Sequence, residues 1–308
     1  MELIFLGTPA FAVPTLARIV EAGHRVLAVF TQPDRPKGRG GHLSGSPVKE
    51  AAVRLGLPVH QPERIRRPEV IEQLKRMNPE AMVVVGYGQI IPQAIIDIPA
   101  RGIINVHASL LPKYRGAAPI QWAIANGETR TGVTTMLIDA GLDTGDMLLK
   151  WETEISPQED APELGARMAG VGAELLVETL RDNPMPVKQN PEEATYAPIL
   201  KKEDGEIDWY WPAEKIFNRS RGFLPWPGAY SFFRGQMFHI WKARIVSEES
   251  GGEPGRMLAG RKRLLIACGE GSTLEAMEVQ VEGRKRMTAE AFLNGQHLQD
   301  GEMLGVVA

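Results

Sequence analysis

Two uncharged polar side chains stand two residues apart at the end of an apolar run, just before a turn. Asn105 and His107 follow the run 102–104, and Leu111-Pro112 ends the segment. Because alternate residues of a strand face the same side, both side chains should point the same way. An amide that donates and an imidazole that donates or accepts could together hold a carbonyl oxygen that gains charge during acyl transfer.

A carboxylate follows the next strand-like run, at residues 133–138. The loop after it, residues 139–146, is rich in glycine and aspartate, and we expect Asp143 to fold back onto His107. Open α/β sheets bind their ligands beyond the carboxyl ends of parallel strands. The sequence therefore predicts that Asn105, His107 and Asp143 meet at one sheet edge.

Short apolar runs alternate with amphipathic stretches through the first half of the chain. This alternation predicts an α/β fold, a doubly wound Rossmann-like domain with a parallel sheet, over residues 1–184. The predicted strands are Glu2–Leu6, Arg25–Phe30, Ala81–Val85, Gly102–His107 and Thr134–Ile138. The predicted helices are Phe11–Glu21, Val48–Leu55, Glu69–Met77 and Ala161–Leu180.

The second half changes character after a proline-rich stretch. Residues 185–206 are predicted to be a linker, because prolines at 184, 186 and 191 cannot continue a helix. Residues 207–308 then predict a small OB-like β-barrel domain. Its predicted strands are Ala229–Phe233, Met237–Ala243, Leu264–Ala267 and Leu274–Val281. Its predicted helices are Pro212–Arg219 and Thr288–Asn294, the second with Thr288 as N-cap. Basic triplets at 261–263 and 284–286, with Trp226, Tyr230 and Trp241 as exposed aromatic candidates, could contact a nucleic-acid backbone there.

The strand-end motif and several others resemble those of the formyltetrahydrofolate-dependent formyltransferases. Among these enzymes, the basic early loop and the C-terminal half look like the methionyl-tRNA formyltransferases, and the resemblance covers nearly the full length. The further motifs are Phe5–Pro9, Thr31–Pro36, Gly38–Gly40, Ser46–Lys49, Val84–Gly88, Gly141–Asp146 and Gly222–Pro227.

The resemblance implies a reaction and a set of site residues. It implies 10-formyltetrahydrofolate as donor, the α-amine of initiator methionyl-tRNA as acceptor, and catalytic roles for Asn105, His107 and Asp143. The implied folate-binding residues are Ser109, Leu110, Leu111, Pro112, Gly86, Tyr87, Gly88 and Asp139. The implied tRNA-binding residues are Arg35, Lys37, Arg39, Lys113 and Arg115, the last two being equally suited to the folate glutamate tail. The resemblance also makes residues 1–184 the catalytic domain and residues 207–308 a tRNA-binding domain.

Two alternatives stay open at this point. The three catalytic candidates would equally suit relatives that formylate an amino sugar nucleotide or a ribonucleotide, which need no basic early loop. A tRNA-binding module without catalysis would keep the basic loops, but it would have no use for Asn105 and His107 on one strand face.

Composition excludes some classes of function and sets expectations for others. The net charge of −3 over 308 residues means that any nucleic-acid surface must be a local patch. A disulfide framework is impossible with one cysteine, Cys268, which we expect in a core strand. No Cys and His cluster has metal-ligand spacing, so we expect no metal. We also expect a monomer. Because the N-terminus carries no leader or membrane segment, we expect it in the bacterial cytoplasm.

Overall fold

The computed structural model describes residues 1–37, 42–247, 252–259, 262–298 and 301–305, which form two compact units. The first unit comprises Met1–Pro119, Arg130–Thr153 and Gly165–Pro198. The second comprises Ile120–Thr129, Glu154–Leu164 and Ile199–Ala308. Two early segments of the chain thus belong to the second unit. The domain boundaries at 184 and 206 stay a prediction.

The secondary structure of the described residues is as follows. The strands are β1 Glu2–Gly7, β2 Arg25–Phe30, β3 Arg35–Lys37, β4 His42–Ser44, β5 Val59–His60, β6 Ala81–Val85, β7 Ile103–His107, β8 Arg115–Gly116, β9 Arg130–Leu137, β10 Met147–Glu154, β11 Tyr196–Ala197, β12 Ala229–Phe233, β13 Gln236–Val246, β14 Met257–Ala259, β15 Leu264–Ala267, β16 Thr273–Val281 and β17 Met287–Thr288. The helices are α1 Val13–Glu21, α2 Pro47–Arg54, α3 Pro68–Met77, α4 Gln93–Ile96, α5 Pro119–Ala125, α6 Ala161–Asp182, α7 Ala213–Gly222 and α8 Ala289–Gln296. Short 3-10 helices span Ala10–Ala12, Pro191–Glu193 and Lys202–Gly205.

The first unit is built on a seven-stranded sheet in the order β10-β9-β7-β6-β1-β2-β5. The strands from β7 to β5 pair in parallel, whereas β9 runs antiparallel to β7. All of β6 and β7 is buried, as expected of strands covered on both faces. The predicted α/β fold is confirmed, with β5 and β10 as additional strands.

The segment predicted as a linker contains regular structure. Strand β11 pairs in parallel with β8, and Met147 and Val187 form an isolated antiparallel bridge. Residues up to Pro198 belong to the first unit, and this part of the chain contacts the loops that follow β7 and β9. It therefore bears on the geometry of the site.

The second unit contains a six-stranded antiparallel sheet in the order β12-β13-β16-β15-β14, with β17 also paired to β16. No pairing joins β12 to β14 among the described residues, so the sheet is a half-barrel. Phe238, Ile240 and Phe292 are fully buried in its core. Cys268 is buried there too, as predicted, but it follows the last residue of β15 and does not lie in a strand. Helix α8 begins after Thr288, whose hydroxyl accepts the Ala291 N–H as the predicted N-cap.

Candidate active site

Strand β7 positions the first two polar side chains. It lies between β6 and β9, and its register places Asn105 opposite Met136 and His107 opposite Thr134. Both polar side chains are buried, with Asn105 at 8% and His107 at 5% exposure. Buried polar groups need partners, so the contacts of these two residues define the site.

The orientation of the His107 ring is set by a backbone carbonyl. Its Nε2 lies 2.9 Å from the Tyr114 carbonyl oxygen. Because a carbonyl only accepts, Nε2 must be the donor, and the neutral ring then presents Nδ1 as an acceptor. That Nδ1 lies 3.7 Å from Asp143 Oδ2, which is beyond a direct hydrogen bond. The histidine is thus held at one nitrogen and available at the other.

Asp143 reaches both β7 side chains from the loop after β9. Its Oδ2 accepts the Gly116 N–H at 2.8 Å, and its Oδ1 lies 3.5 Å from Asn105 Nδ2. Its backbone is in the left-handed region, with φ of 51°. The structure therefore brings Asn105, His107 and Asp143 together, with the carboxylate between the amide and the imidazole.

The turn between Ser109 and Pro112 is held from outside by two side chains that the sequence did not single out. The Thr134 hydroxyl donates to the Ser109 carbonyl at 2.7 Å and accepts the Leu111 N–H at 3.2 Å. The Lys150 ammonium donates to the Leu111 carbonyl at 2.6 Å, and burial lowers the pKa of Lys150. The two residues come from β9 and β10, so no local pattern could have revealed them.

The predicted folate-binding residues of this turn face different ways. Ser109 is fully buried and its hydroxyl donates to the Lys113 carbonyl at 2.6 Å. Leu111 and Pro112 are buried, whereas Leu110 is half-buried. Main-chain groups and the Leu110 side chain are therefore what this turn can offer a ligand.

Gly86, Tyr87 and Gly88 follow β6 at the same edge of the sheet. Both glycines have positive φ, at 57° and 83°. The Tyr87 ring is buried, which raises the pKa of its hydroxyl, and its carbonyl accepts hydrogen bonds from Thr8 Oγ1 and Gln32 Nε2. This segment is shaped by backbone conformations that glycine favours.

Asp139 stabilises the loop that carries Asp143. Its Oδ1 accepts the Gly141 N–H at 3.0 Å and the Thr144 hydroxyl at 2.7 Å. A side chain that bonds to the backbone two residues later is an Asx turn. The carboxylate of Asp139 is therefore already engaged within its own loop.

The predicted tRNA-binding residues fall into three groups. Arg35 and Lys37 lie in β3, which forms a hairpin with β4, and Arg39 lies outside the described residues. Lys113 is exposed. Arg115 is buried at 5% exposure, and its guanidinium donates to Gln189 Oε1 from Nε and Nη2 at 3.0 and 2.7 Å. Its charged group thus points into the protein.

The base of the β3–β4 hairpin is fixed by polar contacts. Asp34 accepts hydrogen bonds from the Lys49 ammonium and from Gln61 Nε2, and these two bonds hold the pKa of Asp34 below its usual value. Thr31 Oγ1 and Ser46 Oγ lie 2.6 Å apart beside them. The residues on either side of the hairpin are therefore anchored to the first unit.

Several basic residues of the second unit are paired with carboxylates. Arg263 and Arg244 both bind Glu275, and Lys262 lies 3.2 Å from Glu290. Of the aromatic residues considered for nucleic-acid contacts, Trp226 is 56% exposed and Trp241 is half-buried and stacked on His239. The expectation that Tyr230 is exposed is wrong, because its ring is buried in the sheet.

The described residues contain neither a metal-site cluster nor a membrane-spanning helix. Across residues 1–37, 42–247, 252–259, 262–298 and 301–305, no three His, Cys, Asp or Glu side chains come together as a metal site would need. No helix in that part of the chain combines the length and apolar character required to cross a membrane.

Known proteins resemble this chain over nearly its full length. Residues 1–180 match the family described as "Formyl transferase", and residues 199–297 match "Formyl transferase, C-terminal domain". A methionyl-tRNA formyltransferase from Solibacter usitatus is 63% identical over 99% of both chains.

Solved structures share the fold at low sequence identity. A methionyl-tRNA formyltransferase from Clostridium thermocellum has a TM-score of 0.57 at 21% identity, covering 82% of this chain and 95% of that one. An N-formyltransferase from Helicobacter canadensis, solved with folinic acid and dTDP-3-aminofucose, has a TM-score of 0.67 at 20% identity, covering 89% and 98%. With both domains matched and a full-length relative of such identity, the chain belongs to the formyl transferase family and, within it, to the methionyl-tRNA formyltransferases.

Proposed function

We propose that this protein transfers the formyl group of 10-formyltetrahydrofolate to the α-amine of initiator methionyl-tRNA. The product is N-formylmethionyl-tRNA for translation initiation. The observation that carries the proposal is the meeting of Asn105, His107 and Asp143 at one sheet edge, in a chain with these relatives.

The reaction needs placement and charge stabilisation more than a strong base. The amine nitrogen attacks the formyl carbon, and the bond from that carbon to the folate nitrogen then breaks. The amine loses one proton and the folate nitrogen gains one. An α-amine has a reference pKa near 8, roughly one unit above neutral pH, so a useful fraction is already unprotonated. Donors aimed at the developing oxyanion supply the larger contribution.

The contacts of the three side chains suggest a division of roles. Asn105 Nδ2 carries two hydrogens, and because Asp143 Oδ1 lies on one side at 3.5 Å, the other can be donated to the formyl oxygen. Asp143 receives the proton that the amine loses. His107 accepts that proton at Nδ1, which faces Asp143, and delivers it to the departing folate nitrogen, while Nε2 stays bound to the Tyr114 carbonyl.

Folate is proposed to lie along the Ser109–Pro112 turn and the backbone of Gly86–Gly88. Because the Ser109 hydroxyl and the Tyr87 ring point inward, main-chain groups and apolar surface would hold it. The loop fixed by Asp139 would bound the pocket.

The tRNA is proposed to meet the cations Arg35, Lys37, Arg39 and Lys113 through its phosphates. Arg115 would have to leave Gln189 to join them. The proposal extends to a monomer that acts in the bacterial cytoplasm, where charged tRNA is used. Sedimentation of the purified chain as a dimer would contradict the monomer.

An acceptor assay tests the proposed reaction. The purified chain is mixed with 10-formyltetrahydrofolate and with methionyl-tRNA, an amino sugar nucleotide or glycinamide ribonucleotide. We expect formylation of methionyl-tRNA alone. Formylation of another acceptor instead would assign the chain to a different member of the superfamily, and tRNA binding without transfer would indicate a non-catalytic module.

The basic early loop can be tested separately with Arg39→Ala. We expect the KM for methionyl-tRNA to rise about three- to tenfold, and the salt slope of tRNA binding to fall by about one unit. Folate affinity should be unchanged. Arg66→Ala, an exposed arginine outside that loop, is the matched control. A loss of folate affinity in the Arg39 variant would place the loop in the folate pocket instead.

A further inference from the structure

Gln189 lies in the segment after α6 and joins two loops of the candidate site. Its Oε1 accepts both guanidinium hydrogen bonds from Arg115, at 3.0 and 2.7 Å. Its Nε2 donates to the carbonyls of Asp143 and Gly145, both at 2.8 Å. A glutamine amide has two N–H donors and two acceptor lone pairs, so every one of them is used here.

The loop that Gln189 contacts has a backbone conformation that needs support. Asp143 has φ of 51°, a left-handed conformation that residues with a Cβ atom seldom adopt. At Gly145 a Cβ atom would lie 1.9 Å from the Leu137 carbonyl oxygen, so the backbone passes close to β9. Hydrogen bonds to the carbonyls of both residues fix the peptide units that determine where the Asp143 carboxylate points.

A direct hydrogen bond also joins the loop that carries Arg115 to the loop that carries Asp143. Gly116 follows Arg115, and its N–H donates to Asp143 Oδ2 at 2.8 Å. The Asp143 carboxylate is therefore held through Gly116, and the Asp143 backbone is held through Gln189 and Arg115. The two loops form a closed ring of hydrogen bonds in which Gln189 is the only member from the segment at residues 185–206.

The segment around Gln189 is anchored by contacts that do not use its side chain. Val187 exchanges two backbone hydrogen bonds with Met147, both at 2.8 Å. Downstream, β11 pairs with β8. Because these contacts hold the backbone on both sides, removing the Gln189 amide should leave the segment in place and release only the loop.

We infer that Gln189 is a positioning residue that holds the Asp143 carboxylate between Asn105 and His107. This inference rests on the proposed function, since it assigns Gln189 a part in the same reaction. Gln189 acts through Asp143 and touches none of the reacting atoms. Small misplacements of a catalytic group can reduce a rate about a hundredfold, so a positioning role should be measurable.

Two substitutions separate the two ends of the Gln189 amide. Gln189→Ala removes all four hydrogen bonds, whereas Gln189→Glu keeps acceptors for Arg115 and loses both donors to the loop. We expect kcat to fall about ten- to a hundredfold in both variants, with the KM for 10-formyltetrahydrofolate within about twofold. Met185→Gln, an exposed change in the same segment, is the matched control and should stay within about twofold in kcat.

A double substitution distinguishes positioning from a general effect on the fold. If Gln189 acts through Asp143, then Asp143→Asn with Gln189→Ala should be no slower than Asp143→Asn alone. Multiplying losses would show that the two residues act independently and would overturn the inference. Thermal denaturation of each variant checks folding, and if Gln189→Ala does not fold, Gln189→Glu decides. Failure of both to fold would assign Gln189 to the fold.

The outcome for Gln189 is distinguishable from the outcome for the proposed function. A parent protein that does not formylate methionyl-tRNA would remove the function itself. An active parent whose Gln189 variants keep kcat within about twofold would overturn only the positioning role.

Discussion

The candidate site of the first unit and the basic turns of the second unit place their polar groups in different ways. In the site, His107 and Asp143 are held by backbone groups, namely the Tyr114 carbonyl and the Gly116 N–H. Such partners cannot rotate away, so the geometry is fixed before any substrate arrives. This is the preorganisation that stabilisation of a transition state requires.

The second unit uses pairs of side chains instead. Arg286 pairs with Glu278 and Lys262 with Glu290, and in each pair the cation is at least half exposed. Ion pairs of this kind contribute about 0–1 kcal/mol, so another anion can replace the carboxylate. The contrast indicates fixed chemistry in one unit and exchangeable charge contacts in the other.

The largest effect on this comparison is expected when a polar side chain of the candidate site is removed. Asn105→Ala and His107→Ala should each lower the rate of formyl transfer at least about a hundredfold. The first removes an oxyanion donor, which typically contributes about 3 kcal/mol. The second removes the group that delivers the proton to the folate nitrogen. Their losses should be far from additive. Single-turnover rates show this directly, with circular dichroism to confirm folding. Rates within about tenfold of the parent would exclude both side chains from catalysis.

Asp143→Asn tests whether the fixed carboxylate handles a proton. Asparagine keeps an oxygen for the Gly116 N–H but cannot accept the proton of the amine. We expect kcat to fall at least about tenfold and the dependence of the rate on pH to change. A profile of the same shape as that of the parent would mean that Asp143 serves only to hold the loop.

Glu275→Gln tests the most buried carboxylate among the described residues of the second unit. Burial alone would raise the pKa of Glu275, but hydrogen bonds from Arg263 and Arg244 outweigh it and the pKa is lowered. Neutralising it should reduce the free energy of unfolding by about 1–2 kcal/mol at pH 7, since both arginines are partly exposed.

The lowered pKa of Glu275 also predicts how the stability difference between the parent and Glu275→Gln depends on pH. A lowered folded-state pKa gives stability that is present above the unfolded value, about 4.3, and lost as the pH falls through the folded value. The stabilities of parent and Glu275→Gln should therefore converge below about pH 4. Urea denaturation at several pH values measures this, and a difference that grows in acid would contradict the assignment.

The smallest effects are expected at the exchangeable cations. Among the residues that the structure describes, no ion pair involves Lys285, whereas Lys262 is paired with Glu290. Lys285→Ala should lower the salt slope of methionyl-tRNA binding by about one unit. Lys262→Ala should change it less, because tRNA would first have to displace Glu290. Equal salt slopes of tRNA binding in the two variants would show that pairing with Glu290 does not weaken the contribution of Lys262.

Local sequence patterns were enough to predict most of the elements. Strands β2 and β6 have the predicted bounds, and α3 and α6 differ from theirs by a residue or two. These elements bury apolar residues at a regular spacing, which is the strongest signal that a sequence carries. The meeting of Asn105, His107 and Asp143 was predicted for a related reason, since strand order brings carboxyl ends to one edge.

Most of the features that were missed depend on partners distant in the sequence. Gln189 contacts Arg115 and Asp143, which lie 74 and 46 residues away. Nothing in its neighbourhood distinguishes such a glutamine from an exposed one, and the prolines around it predict a linker. The burial of Arg115 likewise becomes visible only in three dimensions. Strand β10 alternates apolar and polar residues, so a closer count of that period could have found it.

The pairing of β8 with β11 has a consequence for how the protein is made. The ribosome adds Asn105, His107 and Asp143 before it adds residues 187–197. Those later residues form hydrogen bonds with the loops of the site. At about 5–20 residues per second, that interval is on the order of seconds. During it the emerging chain holds every reactive group without the segment that orients them. Competence of the enzyme is thus acquired late in synthesis, after the parallel sheet of the first unit can already have folded.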